Sequence, residues 1–311
     1  MIRKVNRVGI DTLTVSLPRK WARKYDLEAG ADINLDIEGH QIKICPLDFS
    51  TEKKIEFDLK EIQNQPIRTQ KSLVRTILGN VYKSGYDNIT LRFADKATLK
   101  NIVNKTDLLM GMTPVITSEN RCVIKRILKE DPTEYPKIKK KLFQFLVFQV
   151  KEFYEALEKK KKISNEDLEN FRVNIEKLGD FLKRLLAKNT SSDFNELEQN
   201  HAIITNIEKI AKEYRHFILY LNDYNVTISR DIMDYFKMTT EMLETFYEQY
   251  YNFDINNMYK LANKKNEMLF IKGYSLFSKC GKKEAPALFH IMNVVRRIWD
   301  MGGPLISLKI K

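Results

Sequence analysis

Cysteine is scarce in this chain. The 311 residues include only three cysteines, Cys45, Cys122 and Cys280, which are far apart and odd in number. The sequence has no Cys-x-x-Cys pair and no Cys/His cluster, so neither a disulfide framework nor a zinc site of the usual spacing is predicted. Unpaired cysteines suit a reducing compartment, and the sequence therefore predicts a cytoplasmic protein.

Long apolar runs and glycine-rich nucleotide-binding motifs are also missing. The longest apolar run, residues 142–150, is interrupted by Gln144 and Gln149 and is too short to cross a bilayer. The chain does not open with a charged and then apolar signal segment, so we expect no membrane insertion. Gly-x-Ser-x-Gly, Walker A and Gly-x-Gly-x-x-Gly patterns do not occur, which leaves hydrolase, NTPase and dinucleotide-binding activities without a site. The sequence therefore predicts a protein that is not an enzyme.

Positive charge is abundant. The chain carries 53 Lys and Arg against 41 Asp and Glu, which gives a net charge of +12. Such an excess favours an anionic partner, which could be nucleic acid, an acidic protein or a membrane surface. A hydrophobic fraction of 43% can fill real cores, and 311 residues suit two or three domains.

The positive charge is concentrated near the start of the chain. Within residues 1–25 the only acid is Asp11, whereas the candidate DNA-binding residues are Arg3, Lys4, Arg7, Arg19, Lys20, Arg23 and Lys24. A dimer would double this charge and place two patches symmetrically, as duplex phosphates require. The alternative is a solvated basic face on a dimerisation module.

The same segment has a β-hairpin pattern. Residues 12–17 alternate polar and apolar, Pro18 ends that strand, and a second hairpin is predicted over residues 26–45 with its turn at 38–40. The basic lead-in, the Thr-Leu-Thr-Val-Ser-Leu-Pro run (12–18) and the Gly-Ala-Asp-Ile-Asn-Leu-Asp-Ile-Glu-Gly return (30–39) resemble an AbrB-type swapped-hairpin domain. The resemblance covers residues 1–46 and implies an interleaved, barrel-like dimer that binds DNA or an antitoxin's partner toxin.

The rest of the chain divides into two predicted regions. Residues 49–130 read as a small α/β domain that follows the 1–48 domain, and no function is assigned to it. Asp131-Pro132 and Tyr135-Pro136 mark the next boundary, after which residues 131–311 read as six amphipathic helices arranged as two three-helix repeats. The predicted fold class is thus multidomain α+β with a six-helix bundle at the C-terminal end.

The helical region resembles the PhoU family. The resemblance rests on a Glu-Arg-x-x-Asp-like element on the third helix of each repeat, at 208–212 and 296–300, and on Asn174-Ile175-Glu176-Lys177-Leu178 with Arg184 on the second helix. Together with the AbrB-type start, it looks like archaeal phosphate-uptake regulators. The resemblance implies a role in phosphate homeostasis.

The resemblance also implies acidic metal clusters, but the acids are incomplete here. Glu176, Glu208 and Asp300 are present, whereas Lys212 and Arg296 stand where carboxylates are expected and would repel a cation. We read Glu208 and Lys212 as a surface ion pair one helical turn apart. The histidines lie on a turn and on predicted helices, without metal-ligand spacing; they are His40, His201, His216 and His290. No metal and no other cofactor is therefore expected.

Two functions remain open from the sequence. The first is a homodimeric, DNA-binding transcriptional regulator of phosphate uptake, whose helical tail receives the signal and whose partner is double-stranded DNA. The second is an adaptor that contacts a phosphate transporter ATPase or a signalling kinase, with the AbrB-like segment acting only as a dimer clamp.

Overall fold

A computed structural model describes residues 2–38, 41–46, 52–189 and 193–310. By its internal contacts the chain divides into two compact units, Met1–Glu52 and Lys53–Lys311. The fold is mixed α+β, with small sheets and a helical C-terminal region. None of the helices in the described ranges is long and apolar enough to cross a membrane.

The first unit contains two separate antiparallel hairpins and one short helix. Strands β1 (Asn6–Val8) and β2 (Thr12–Thr14) flank a turn at Gly9, whose φ of 74° lies in the left-handed region that glycine adopts without strain. Helix α1 (Arg19–Lys24) starts after Pro18, and β3 (Ile33–Glu38) pairs with β4 (Gln41–Pro46). The predicted turn at 38–40 includes Gly39 and His40, which lie outside the described residues.

The described side chains of the first unit form no buried core. Between residues 2 and 46, every side chain whose burial is described is exposed or half-buried. Large apolar side chains are left exposed on both hairpins and around them: Ile2, Val5, Val8, Ile10, Leu13, Val15, Leu35, Ile37 and Ile42. An isolated two-stranded hairpin with such exposed apolar side chains is at best marginally stable in water.

The second unit begins with an α/β layer. Strand β5 (Lys54–Asp58) runs parallel to β6 (Asn88–Arg92), and helix α2 (Ile67–Lys83) makes the crossover that a parallel pair requires. Helix α3 (Lys96–Thr106) follows, and β7 (Met112–Ser118) and β8 (Arg121–Arg126) complete a sheet in the order β5-β6-β8-β7. Val74, Leu78, Tyr82, Ile89 and Leu91 are fully buried between α2 and the sheet.

Helices make up the remainder of the described chain. They are α4 (Tyr135–Glu158), α5 (Asn165–Lys188), α6 (Phe194–Asp223), α7 (Arg230–Tyr251), α8 (Ile255–Asn266), α9 (Tyr274–Lys279), α10 (Ala285–Asp300) and α11 (Gly302–Lys309). A π-helical stretch, Glu267–Gly273, joins α8 to α9. Helix α5 begins at a capping box, in which the Ser164 side chain accepts from the backbone N–H of Asp167 and the Asp167 side chain accepts from that of Ser164. The apolar faces of these helices share one core, which includes Phe143, Leu182 and Phe246.

A buried ion network joins the sheet layer to the helices. Arg184 on α5 is fully buried and donates hydrogen bonds to Asp87 and Glu130 and to the backbone carbonyls of Tyr82 and Tyr86. Residues 53–130 of the predicted α/β region and the predicted helical region 131–311 lie within one compact unit, and α5 packs on α2 as well as on α6.

Candidate nucleic-acid interface and charged sites

The seven candidate DNA-binding residues all lie exposed on the first unit. Arg3 and Lys4 precede β1, and Arg7 lies within it, opposite Leu13 of β2. The other four, Arg19, Lys20, Arg23 and Lys24, make up two thirds of α1. The structure thus brings the candidates together as two groups, one on a strand and its lead-in and one on a helix.

Helix α1 is built to present its charge outward. Positions 19 and 23, and 20 and 24, are each one turn apart, so their side chains lie side by side. The half-buried Trp21 packs edge-on against Tyr25, with the ring centroids 5.4 Å apart. The first turn contains no acid, and among the described residues no carboxylate forms an ion pair with any of the seven. Their charge is therefore available to an external anion.

A second charged site occupies a cleft of about 480 Å³ between α2, α5 and α6. Glu176 lies at its centre and accepts hydrogen bonds from Arg75, Arg172 and Lys105, the last at 2.6 Å. Burial alone would raise the pKa of Glu176, but these cations, Lys105 foremost, outweigh it and lower that pKa below its usual value. Glu176 therefore stays ionised in the absence of any metal.

The neighbouring acids of this cleft also form ion pairs, although burial raises the pKa of Glu208. Asp180 lies 3.3 Å from the Nζ of Lys105 and 3.6 Å from that of Lys83. Glu208 bonds to Lys183 of α5 and not to Lys212, so the expected surface ion pair is wrong. Glu208 reaches α5 because residue 179 is glycine: a Cβ there would meet the Glu208 Oε1.

The cleft carries more cations than anions. Three carboxylates line it, against six basic side chains: Arg75, Lys83, Lys105, Arg172, Lys212 and Arg215. The remaining acid implied by the resemblance, Asp300, is about half exposed and pairs with Arg297 on its own helix at 3.1 Å. Ion pairs with the protein's own cations thus occupy the carboxylates that a metal cluster would require.

The sequence interpretation missed one group of side chains. Glu213 and His216 on α6 and His290 on α10 place one ligand atom each within 4.8 Å of the other two. The Glu-x-x-His spacing on α6 was the available signal, since residues three apart share a helix face. The third residue, His290, lies 74 positions beyond His216, and only the packing of α10 on α6 brings it close to Glu213 and His216.

Comparison with known proteins adds no identification, because the chain matches no protein-family model, no curated protein and no solved structure.

Proposed function

We propose that this protein is a homodimeric, DNA-binding transcriptional regulator, with phosphate uptake as the regulated process. The observation that carries the proposal is the first unit, which combines seven exposed basic residues with apolar surface that one chain leaves uncovered. The link to phosphate uptake rests on the resemblance of the sequence alone.

Dimerisation is the first step of the proposal. Leu13 and Ile42 are 68% and 62% exposed in the single chain. Both lie in strands whose alternation of polar and apolar residues is typical of a sheet with one buried face. A second copy that interleaves its hairpins would cover these side chains and pair the open strand edges, closing a small barrel. Exposed edges and apolar faces on a functional protein otherwise favour aggregation.

DNA binding is the second step. Each copy contributes two groups of basic residues, on the β1 lead-in and on α1, and a two-fold dimer repeats them symmetrically. Phosphate contacts from Lys and Arg supply most of the sequence-independent affinity for duplex DNA and make it depend on salt. The helical region of the second unit serves as the signal-receiving part.

A salt titration of DNA binding tests the proposal. Arg3, Lys4 and Arg7 are changed together to Ala in the full chain, which removes six phosphate contacts from a dimer. Each contact contributes roughly 0.9 to the slope of log affinity against log salt, so the slope should fall by about 5. The matched control changes Lys129, Lys161 and Lys162, three exposed lysines of the second unit, to Ala.

The control should bind duplex fragments like the wild type. Equal slopes for the control and the Arg3/Lys4/Arg7 variant would remove the first unit from the DNA interface.

The adaptor remains the second candidate because a specific surface favours it. The segment from α8 to α9 exposes five large apolar side chains, which are Tyr259, Phe270, Ile271, Tyr274 and Phe277. Such a row suits a protein partner. Absence of any electrophoretic shift on genomic fragments at moderate salt would favour this second function.

A further inference from the structure

The side chains of Glu213, His216 and His290 converge on one point between α6 and α10. The Oε2 of Glu213 lies 2.8 Å from the Nδ1 of His290, and the imidazole rings of His216 and His290 are 5.5 Å apart between centroids. One donor atom from each residue lies within 4.8 Å of the other two. Glu213 and His290 are about one fifth exposed, so the point is reachable from solvent.

The two helices hold these donors on rigid elements. Glu213 and His216 are one turn apart on α6, and flanking residues of both helices, Tyr214 and Ile291 among them, are fully buried in the common core. Packed helices fix the spacing of the ligands more precisely than loops do. The ring of Phe289 packs edge-on against that of His290, with 5.6 Å between the ring centroids.

We infer that Glu213, His216 and His290 bind a divalent transition-metal ion of the zinc class. Two imidazoles and one carboxylate are the donors that suit Zn²⁺, Co²⁺, Ni²⁺ and Fe²⁺, whereas Mg²⁺ and Ca²⁺ prefer all-oxygen sites. Three protein ligands leave a further position for water or an exogenous ligand, as in open zinc sites.

The distances fit such an ion after a small adjustment. Tetrahedral ligands at about 2.05 Å from zinc are separated by about 3.4 Å. The Glu213–His290 pair, at 2.8 Å, is already close to this value. The widest separation allowed within the group, 4.8 Å, would close by about 1.4 Å through a small rotation of a partly exposed ligand side chain.

The surroundings set how tightly the ion is held. Lys212 and Arg215 adjoin the ligands on α6, and Arg297 lies one turn or more beyond His290 on α10. Arg215 is partly compensated by Glu169, 3.6 Å away. These cations weaken the site relative to a four-ligand structural zinc site. Because Glu176, Glu208 and Asp300 are not part of it, the site holds a single ion and not the acidic cluster implied by the family resemblance.

Cobalt titration of the metal-free full chain tests the site. Co²⁺ should bind with one equivalent per chain and give the visible d–d absorption of a low-coordinate nitrogen/oxygen site, and Zn²⁺ should abolish that absorption. His216→Ala and His290→Ala should each lose it. His201→Ala, which removes an exposed histidine from the same helix α6, is the matched control and should retain it.

A conservative variant separates a metal site from an ordinary ion pair. Glu213→Gln keeps the shape of the side chain and can still hydrogen-bond to His290, but it removes the anionic ligand. The Co²⁺ affinity should therefore fall at least tenfold. The thermal midpoint without metal should stay within a few degrees of the wild-type value. Absence of the d–d bands in the wild-type protein, or bands of equal strength in His216→Ala, would overturn the inference and leave a Glu213–His290 ion pair beside a bystander histidine. A Zn²⁺-induced rise in thermal midpoint, present in the wild type and absent from His290→Ala, provides a second readout.

Discussion

Arg184 offers the sharpest test of how the second unit is held together. Its guanidinium is fully buried, and its Nη2 lies 2.8 Å from the Oδ1 of Asp87. The Nη1 donates to the carbonyls of Tyr86 and Tyr82 at 2.6 and 3.1 Å, and the Nε donates to Glu130. The planar fork of arginine matches this set of acceptors, whereas a lysine could reach only part of it.

Changing Arg184 to Met keeps the volume and removes the charge. Breaking a buried pair by deleting one partner costs about 3–5 kcal/mol, because the other charge stays buried and uncompensated. Asp87 and Glu130 would keep Lys188 and Arg126, which lie within 3.6 Å of both carboxylates, so the electrostatic loss falls at the lower end. The two orphaned carbonyls add about 1 kcal/mol or more each. We therefore expect a loss of about 4–5 kcal/mol.

Urea unfolding of the full chain, followed by far-ultraviolet circular dichroism, measures this loss. A decrease of about 4–5 kcal/mol is a large part of ordinary domain stability and should lower the urea midpoint strongly. Arg184→Lys should recover part of it. Arg297→Met, which removes an exposed pair with Asp300, is the control and should change stability by less than about 1 kcal/mol. Unfolding of Arg184→Met within about 0.5 kcal/mol of the wild type would refute the reasoning.

Two further predictions concern acid stability and dimerisation. Burial alone would raise the pKa values of Asp87 and Glu130, but Lys188 for the first and Arg184 for the second outweigh it and lower both. Their contribution to stability is thus complete above the ordinary pKa values of 3.8 and 4.5 and is lost as pH falls through the lower folded-state values. The urea midpoint should therefore fall as pH drops below about 4.5, and a flat profile would contradict this. Light scattering of the full chain should give a mass twice the 36.7 kDa of one chain. The double variant Leu13→Asp/Leu35→Asp should give the mass of one chain. The control Phe148→Asp, at an exposed apolar position on α4, should stay dimeric.

The helices were the most predictable part of the fold. Apolar residues recur every three to four positions over long stretches of the region predicted as helical, 131–311, which contains α5 (Asn165–Lys188) and α6 (Phe194–Asp223). The short strand expected over 12–17 was less accurate. Its ladder stops at Thr14 because the partner strand β1 supplies only three residues, and residues 15–18 continue without one.

The sites were less predictable because they depend on helix pairing. The periodicity of α6 places Glu213 and His216 on one face, but nothing in a single sequence says that His290 of α10 lies against them. The same holds for Lys105 of α3, which neutralises Glu176 and Asp180 on α5 across more than 70 positions of sequence. The sequence shows that Lys212 and Arg296 stand where carboxylates are expected in the helical region. It does not show that basic residues of the α/β layer, such as Lys105, also reach the acids of α5.

The distribution of burial argues that dimerisation belongs to the first unit and not to the apolar row on α8 and α9. The second unit completes two cores within one chain, and the α8–α9 row extends from a helix whose other face, with Met258 and Leu261, is already buried. That unit is therefore stable without covering the row. The first unit buries none of its described side chains, and in the proposed homodimer a second chain would supply the missing face. The proposed dimer interface is therefore assigned to the first unit, and the α8–α9 row is left for a different partner.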